Sequence, residues 1–254
     1  MTTEHVLRQE HHRIRSGWGE AGLAALADDC AVVIVVDVLS FSTAVDVALG
    51  RGARVLPLRW RDERAAEAAA AAGATLAGPR GGAGWSLSPT SLHDLPAGRL
   101  LALPSPNGAT LCAAAATRRV EVLVGCLRNA SATAHRALES ANGAPIAVIA
   151  AGERWGVDDG PLRVAVEDLL GAGAVIAALS GGTTAGCSPE AAVAEASFLG
   201  CRDRLGALIA DCTSGRELRD GGYAADVEQA SRLDVSRCAP RLVDGVLVHP
   251  ATST

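Results

Sequence analysis

The chain has 254 residues, enough for one large domain or two closely joined halves, and no linker-like stretch divides it. Its net charge of −5 and 3% aromatic content argue against a nucleic-acid surface, which needs a basic face and stacking rings. Hydrophobic residues make up 49% and charged ones 20%, and glycine interrupts the apolar runs before they reach membrane-spanning length, so a soluble α/β protein is expected.

The opening MTTEHVLRQEHHRIRSGWGE is charged and lacks an apolar core followed by a cleavage site, so a cytoplasmic location is expected. His5, His11 and His12 are assigned to a charged helix face and not to a metal. The first strand predicted is the Val/Ile run of VVIVVDVLSFSTAV, which ends at Asp37. Ser40, Ser42 and Thr43 follow where a helix should start, because hydroxyls accept from the free N–H groups of a first turn. Asp37 can itself be a cap, or it can hold a hard cation.

AVDVALGRGA reads as a helix, ARVLPLRW as a second strand, and RDERAAEAAAAAG as a helix stopped by Gly73. TLAGPRGGAGW is a short strand entering a glycine loop. There Arg80 can fork onto an oxyanion while Gly81 and Gly82 turn backbone N–H groups toward it, although a plain tight turn has the same composition. RLLALPSPNGATLCAAAATRRVEVLVG then repeats strand, polar loop, helix and strand. Thr43 precedes Val55 by 12 residues and Thr110 precedes Val122 by 12, so two units share one plan.

VEVLVG runs into CLRNASAT and a helix through HRALES, and PIAVIAAGERWG is another strand with a polar loop. RVAVEDLLGAGAVIAAL, PEAAVAEASFLG, DRLGALIADC and ADVEQASRLD are helical in spacing, and RLVDGVLVHP is a strand pair turning at Asp244-Gly245. Glu167 and Asp168 are either a first-turn acidic pair or, with Asp37, carboxylates for Mg²⁺. Seven cysteines without a C-x-x-C pair read as free thiols.

In open α/β sheets ligands collect beyond the carboxyl ends of the strands. Asp37, Arg80, Asn107 with Gly108 and Thr110, and Asn129 all fall in such loops and are expected to converge on one anion. Taken in order, VVIVVDVLSFSTA, GPRGG, LSPTSL, PSPNGAT, VLVGCLRNA, VEDLLGAGAVI and SGRELRDGGYAADVEQASRLD resemble the 2-phosphosulfolactate phosphatase family, the magnesium-dependent enzymes of coenzyme M biosynthesis. The resemblance implies a three-layer α/β/α fold of two similar, intertwined halves over residues 1–254. It also implies Mg²⁺-dependent hydrolysis of 2-phospho-3-sulfolactate.

On that reading Asp37, Arg80 and Asp168 are catalytic. Ser42, Thr43, Arg80, Gly81, Gly82, Asn107, Gly108, Thr110 and Asn129 bind substrate, and Asp37, Glu167 and Asp168 hold the metal. The partner expected is a small anionic phosphate ester, with no nucleic acid and no membrane; a homodimer is left open. Ser40 stands where the family commonly has Arg, and Pro79 where it has Glu, so substrate charge matching differs here. A different small phosphoester, or an anion-binding protein without turnover, are the alternatives. If the cation missing at Ser40 is replaced, Arg128, Arg154 and Arg216 are the candidates.

Overall fold

The computed structural model describes residues 6–156 and 160–249. Eleven strands and ten α-helices build it, and a central nine-stranded sheet carries helices on both faces, the three-layer α/β/α arrangement.

One parallel block contains β1 (Ile14–Trp18), β2 (Val32–Val36), β6 (Glu121–Gly125) and β7 (Ile146–Ala150), in the order β1-β7-β2-β6. A second contains β3 (Arg54–Leu58), β4 (Thr75–Leu76) and β5 (Leu100–Pro104), in the order β3-β5-β4. The C-terminal hairpin of β10 (Arg241–Val243) and β11 (Val246–Val248) joins the blocks by antiparallel pairs, Arg241 with Leu123 and Leu247 with Val55. Asp244 and Gly245 turn that hairpin with φ of 49° and 80°, the left-handed pair a two-residue turn requires.

Chain order explains why the halves interlock. β2 in the first block leads through helix α2 (Phe41–Gly50) to β3 in the second, and β5 in the second leads through α4 (Gly108–Ala116) to β6 in the first. Each repeated unit therefore gives one strand to each block.

Every residue of β2 is buried, and its two sets of side chains feed two cores. Val33 and Val35 pack with Phe41, Leu103 and Val124 on the face that holds α1 (Gly19–Leu26), α2 and α4. Val32, Ile34 and Val36 pack on the other face with α5 (Ala130–Ala141), α6 (Val166–Ser180) and α7 (Pro189–Cys201). A strand covered on both faces has no use for polar–apolar alternation, which is why the sequence there is continuous Val and Ile. Helix α3 (Glu63–Ala71) is capped by Asp62, whose carboxylate accepts from the Arg64 N–H at 3.0 Å.

Two parts of the sequence reading change. β1 was not expected, and it pairs in parallel with β7 along its full length. His11 and His12 precede it in a turn instead of on a helix face, and His5 lies outside the described residues. All seven cysteines are free, as expected. No helix among the described residues is long and apolar enough to cross a membrane.

Candidate active site

The sharp end of β2 is Asp37, which is 5% exposed and is held by two helices at once. Its Oδ1 accepts the Phe41 N–H, the first of α2, at 3.1 Å, and its Oδ2 accepts the Gly108 N–H, the first of α4, at 2.9 Å. Both helix N-termini thus aim their free donors and positive dipole ends at one carboxylate. Only glycine fits at 108, because a Cβ there would press into the Phe41 ring and stand 2.8 Å from Asp37 Oδ2.

The capping role expected of the hydroxyls therefore falls to the carboxylate. Ser42 instead turns back to accept the Asp37 N–H at 2.9 Å, and Thr43 donates to the Val38 carbonyl at 2.7 Å. Both are fully buried and brace the loop, so the structure does not offer them to a substrate.

Burial raises the Asp37 pKa to about 6, against the opposing pull of its two N–H donors, and nearby Glu153 and Glu167 push it further up. Asp168 is likewise raised well above the usual carboxylate range, by burial first and then by Asp37 and Glu167. Its Oδ1 accepts from Val38 N at 2.7 Å and its Oδ2 from Gly152 N at 2.8 Å, so it ties the loop after β2 to the loop after β7. Glu167 is buried and accepts from the Cys212 thiol at 3.3 Å.

Arg80 comes in from the loop after β4. The turn around it closes with the Gly82 N–H donating to the Pro79 carbonyl at 3.2 Å, and Gly81 sits at φ 77°, a value glycine favours. Gly82 thus spends its donor inside the turn. The guanidinium donates from Nη1 to Asp226 at 2.7 Å and from Nη2 to Ser40 Oγ at 2.6 Å, and it lies 5.4 Å from the Tyr223 ring centroid. Burial lowers its pKa, which Asp226 partly restores. Arg80 also lines a cavity of about 600 Å³ together with Arg61, Gly78 and Pro104.

Two acids that the sequence reading did not single out complete this region. Asp226, 1% exposed in helix α10 (Ala224–Ala230), accepts from Arg80, from Ser88 Oγ at 2.7 Å, and from Thr90 through its N–H at 3.0 Å and its hydroxyl at 2.6 Å. Ser88 and Thr90 belong to the LSPTSL segment, so the fold brings that motif and the C-terminal D-V pair together on Arg80. Glu153 accepts from Asn107 Nδ2 at 3.0 Å beside the Gly108 donor. Thr110, half-buried in the first turn of α4, makes no side-chain hydrogen bond among the described residues. Asn129 is fully buried, with Oδ1 taking the Cys126 N–H at 2.8 Å and Nδ2 aimed at the Val124 carbonyl, so it braces its own loop.

None of the three arginines considered as substitutes for a cation at position 40 is free for that task. Arg128 pairs with Asp46, Arg154 with Glu20, and Arg216 with Asp211. Arg61 has no ion pair among the described residues and shares the cavity of Arg80.

A hard cation fits this chemistry in one mode. Among the described residues no three His, Cys, Asp or Glu side chains stand together as a cage, so the expected set of Asp37, Glu167 and Asp168 is not assembled as a three-carboxylate centre. Mg²⁺ does not need one, because it commonly keeps several waters and takes one or two carboxylates plus substrate phosphate. Asp37, with Glu153 near it and burial already opposing its charge, fits that mode.

Comparison with known proteins identifies the family. Residues 22–245 match the model of the family described as 2-phosphosulpholactate phosphatase. The chain is 31% identical over 222 residues to a 2-phosphosulfolactate phosphatase of Methanothermobacter thermautotrophicus, covering 84% of this chain and 87% of that protein. It is 32% identical over 225 residues to a probable 2-phosphosulfolactate phosphatase of Deinococcus radiodurans, covering 84% of this chain and 88% of the relative. The chain belongs to the 2-phosphosulpholactate phosphatase family, whose named activity is that of a phosphoric monoester hydrolase.

Proposed function

We propose that this chain hydrolyses 2-phospho-3-sulfolactate to 3-sulfolactate and inorganic phosphate with the help of Mg²⁺, a step of coenzyme M formation. The observation that carries the reading is Asp37, buried between two helix N-termini, with Arg80 fixed nearby. When bound, Mg²⁺ would polarise the phosphoryl group and lower the pKa of a bound water.

The protein's own part is positioning and charge. Asp37 and Glu153 are the carboxylates that would hold the cation. Arg80 presents a guanidinium whose orientation is set by Asp226 and Ser40, and it offers its remaining N–H donors to an oxyanion. Water attacks phosphorus, the ester P–O bond breaks, and the leaving alkoxide takes a proton. Arg61, across the same cavity, is the second cation for the carboxylate or sulfonate end of the substrate and takes the place of the arginine missing at position 40.

Release of inorganic phosphate tests this directly. With Mg²⁺ present, 2-phospho-3-sulfolactate should be turned over with kcat/KM at least tenfold above that for a phosphomonoester lacking the sulfonate, since each charge-assisted bond contributes about 1.5–3 kcal/mol. Chelation by EDTA should abolish the reaction. Binding of the substrate without phosphate release would support the alternative of an anion-binding protein, and preference for the simpler ester would support a different substrate.

A further inference from the structure

After β7 the strands β8 (Glu153–Arg154) and β9 (Leu162–Arg163) form a small antiparallel ribbon in which Glu153 stands directly opposite Arg163. Directly opposed residues send their side chains to the same face. The two nonetheless form no ion pair among the described residues. Glu153 turns to Asn107, beside the Gly108 donor of Asp37, whereas Arg163 Nη2 donates to Ser214 Oγ at 3.2 Å in the first turn of α9 (Thr213–Asp220). Ser214 lies just past Cys212, whose thiol holds Glu167. The Arg163 carbonyl oxygen would stand 2.9 Å from a Cβ at Gly152, whose N–H is bound to Asp168. Two separate attachments therefore fix Arg163 at the Asp37 end of the sheet.

Arg15 and Arg163 are the buried arginines among the described residues, at 3% and 8% exposed. Arg15 spends its donors on three backbone carbonyls. Arg163 has the Ser214 hydroxyl as its one hydrogen-bond partner among the described residues, with the Trp155 ring centroid 5.9 Å away. A buried cation without a carboxylate is a cost to the fold. Its unused donors are not sealed in: among the described residues, the side-chain polar atoms buried without a partner belong to Asp46, Arg136 and Arg241. The free donors of Arg163 thus open onto accessible space.

We propose that Arg163 is a specificity-determining residue whose guanidinium receives an acid group of the substrate remote from the phosphoryl group, a carboxylate or a sulfonate. The identity of the substrate rests on the hydrolase reading above. That substrate carries three anionic groups, and Arg80 and Arg61, from the loops after β4 and β3, meet two of them. Arg163 meets the third from the β7 side of Asp37. A planar fork of donors fits either kind of group.

Calorimetric titration in EDTA compares binding without turnover. The ligands are 2-phospho-3-sulfolactate, 2-phospholactate, which lacks the sulfonate, and inorganic phosphate; the proteins are wild type, Arg163→Met and Arg163→Lys. The Met variant, which keeps the apolar stem, should bind 2-phospho-3-sulfolactate at least tenfold more weakly, with Lys in between. Inorganic phosphate should bind all three proteins alike, because Arg80 is intact. An equal loss for 2-phospholactate would assign Arg163 to the carboxylate, and no loss would assign it to the sulfonate. The Met variant should melt no lower than wild type, since it removes a buried cation that has no counter-charge. Unchanged affinity for 2-phospho-3-sulfolactate, no binding of it by wild type, an equal loss for inorganic phosphate, or a Met variant that melts well below wild type would each overturn the proposal. Phosphate release with Mg²⁺ tests the hydrolase reading separately: an ester bound through Arg163 but not hydrolysed sinks that reading and leaves this one standing.

Discussion

Replacing Asp37 by Asn is expected to lower kcat/KM for phosphate release by about 10²–10³-fold or more, the scale seen when a preorganised charge-stabilising group is removed. At neutral pH the same change should leave stability nearly untouched. Two effects oppose each other. An Asn side chain can accept only one of the two N–H groups that Asp37 receives from Phe41 and Gly108, which costs about 1–3 kcal/mol for the donor left facing an amide NH₂. Against that, the wild-type carboxylate is destabilised when ionised, because burial raises its pKa from the ordinary 3.8 to about 6. Removing the charge recovers about 1.4 kcal/mol for each tenfold weakening of the acid.

The sign with pH follows from proton binding. Between about 4 and 6 the folded chain keeps a proton on Asp37 that the unfolded chain has lost, so this group makes stability fall as pH rises through that window. The Asn variant lacks the fall. Melting temperatures across the same range in metal-free protein should therefore place the variant below wild type at the acid end and level with it near neutrality. Parallel curves for the two proteins would show that Asp37 does not titrate as described.

The second large effect concerns Arg80. Truncation to Ala should raise KM at least tenfold and destabilise the fold by about 3–5 kcal/mol, because it strips the cation from a carboxylate that is almost fully buried. Adding Asp226→Asn should recover a good part of that stability, since the amide oxygen still accepts from Ser88 and Thr90 and no buried charge is left. The raised KM should persist in the double variant, as nothing then presents a guanidinium to the substrate. Urea unfolding and steady-state kinetics on the wild type and these two variants separate the two roles of the pair. A single Ala variant with wild-type KM would reduce Arg80 to a turn residue.

How much of this could be read beforehand differs between the elements and the site. The Val/Ile run ending in Asp37 and the Asp244-Gly245 turn carry their structure locally, and both fold as expected. β1 was hidden because Ile14-Arg15-Ser16-Gly17-Trp18 looks neither alternating nor continuous. Its Arg15 is nonetheless 3% exposed, and its guanidinium donates to the carbonyls of Arg8, Glu10 and His12. Side-chain direction was equally illegible: Ser42 and Thr43 have the composition of an anion loop, yet both hydroxyls are spent on the backbone around them.

Asp226 was overlooked for a different reason. On its own helix it is an ordinary first-turn acid, and its meaning comes from Arg80, 146 residues earlier in the chain. Glu153 gains its place in the same way, through Asn107. No local pattern encodes such pairs: Arg80 follows β4 while Asp226 lies in α10, and Asn107 follows β5 while Glu153 follows β7, so only the tertiary fold brings them together.

If ionised Asp37 and Mg²⁺ act together on a phosphate ester, the acid limb of the pH profile depends on both. With limiting Mg²⁺, kcat/KM for phosphate release from 2-phospho-3-sulfolactate should rise with pH through about 6, where Asp37 loses its proton. Raising the Mg²⁺ concentration should move that limb to lower pH, because cation and proton compete for the same carboxylate. A limb that stays in place as Mg²⁺ increases, or activity that persists unchanged in EDTA, would show that Asp37 does not hold a catalytic cation.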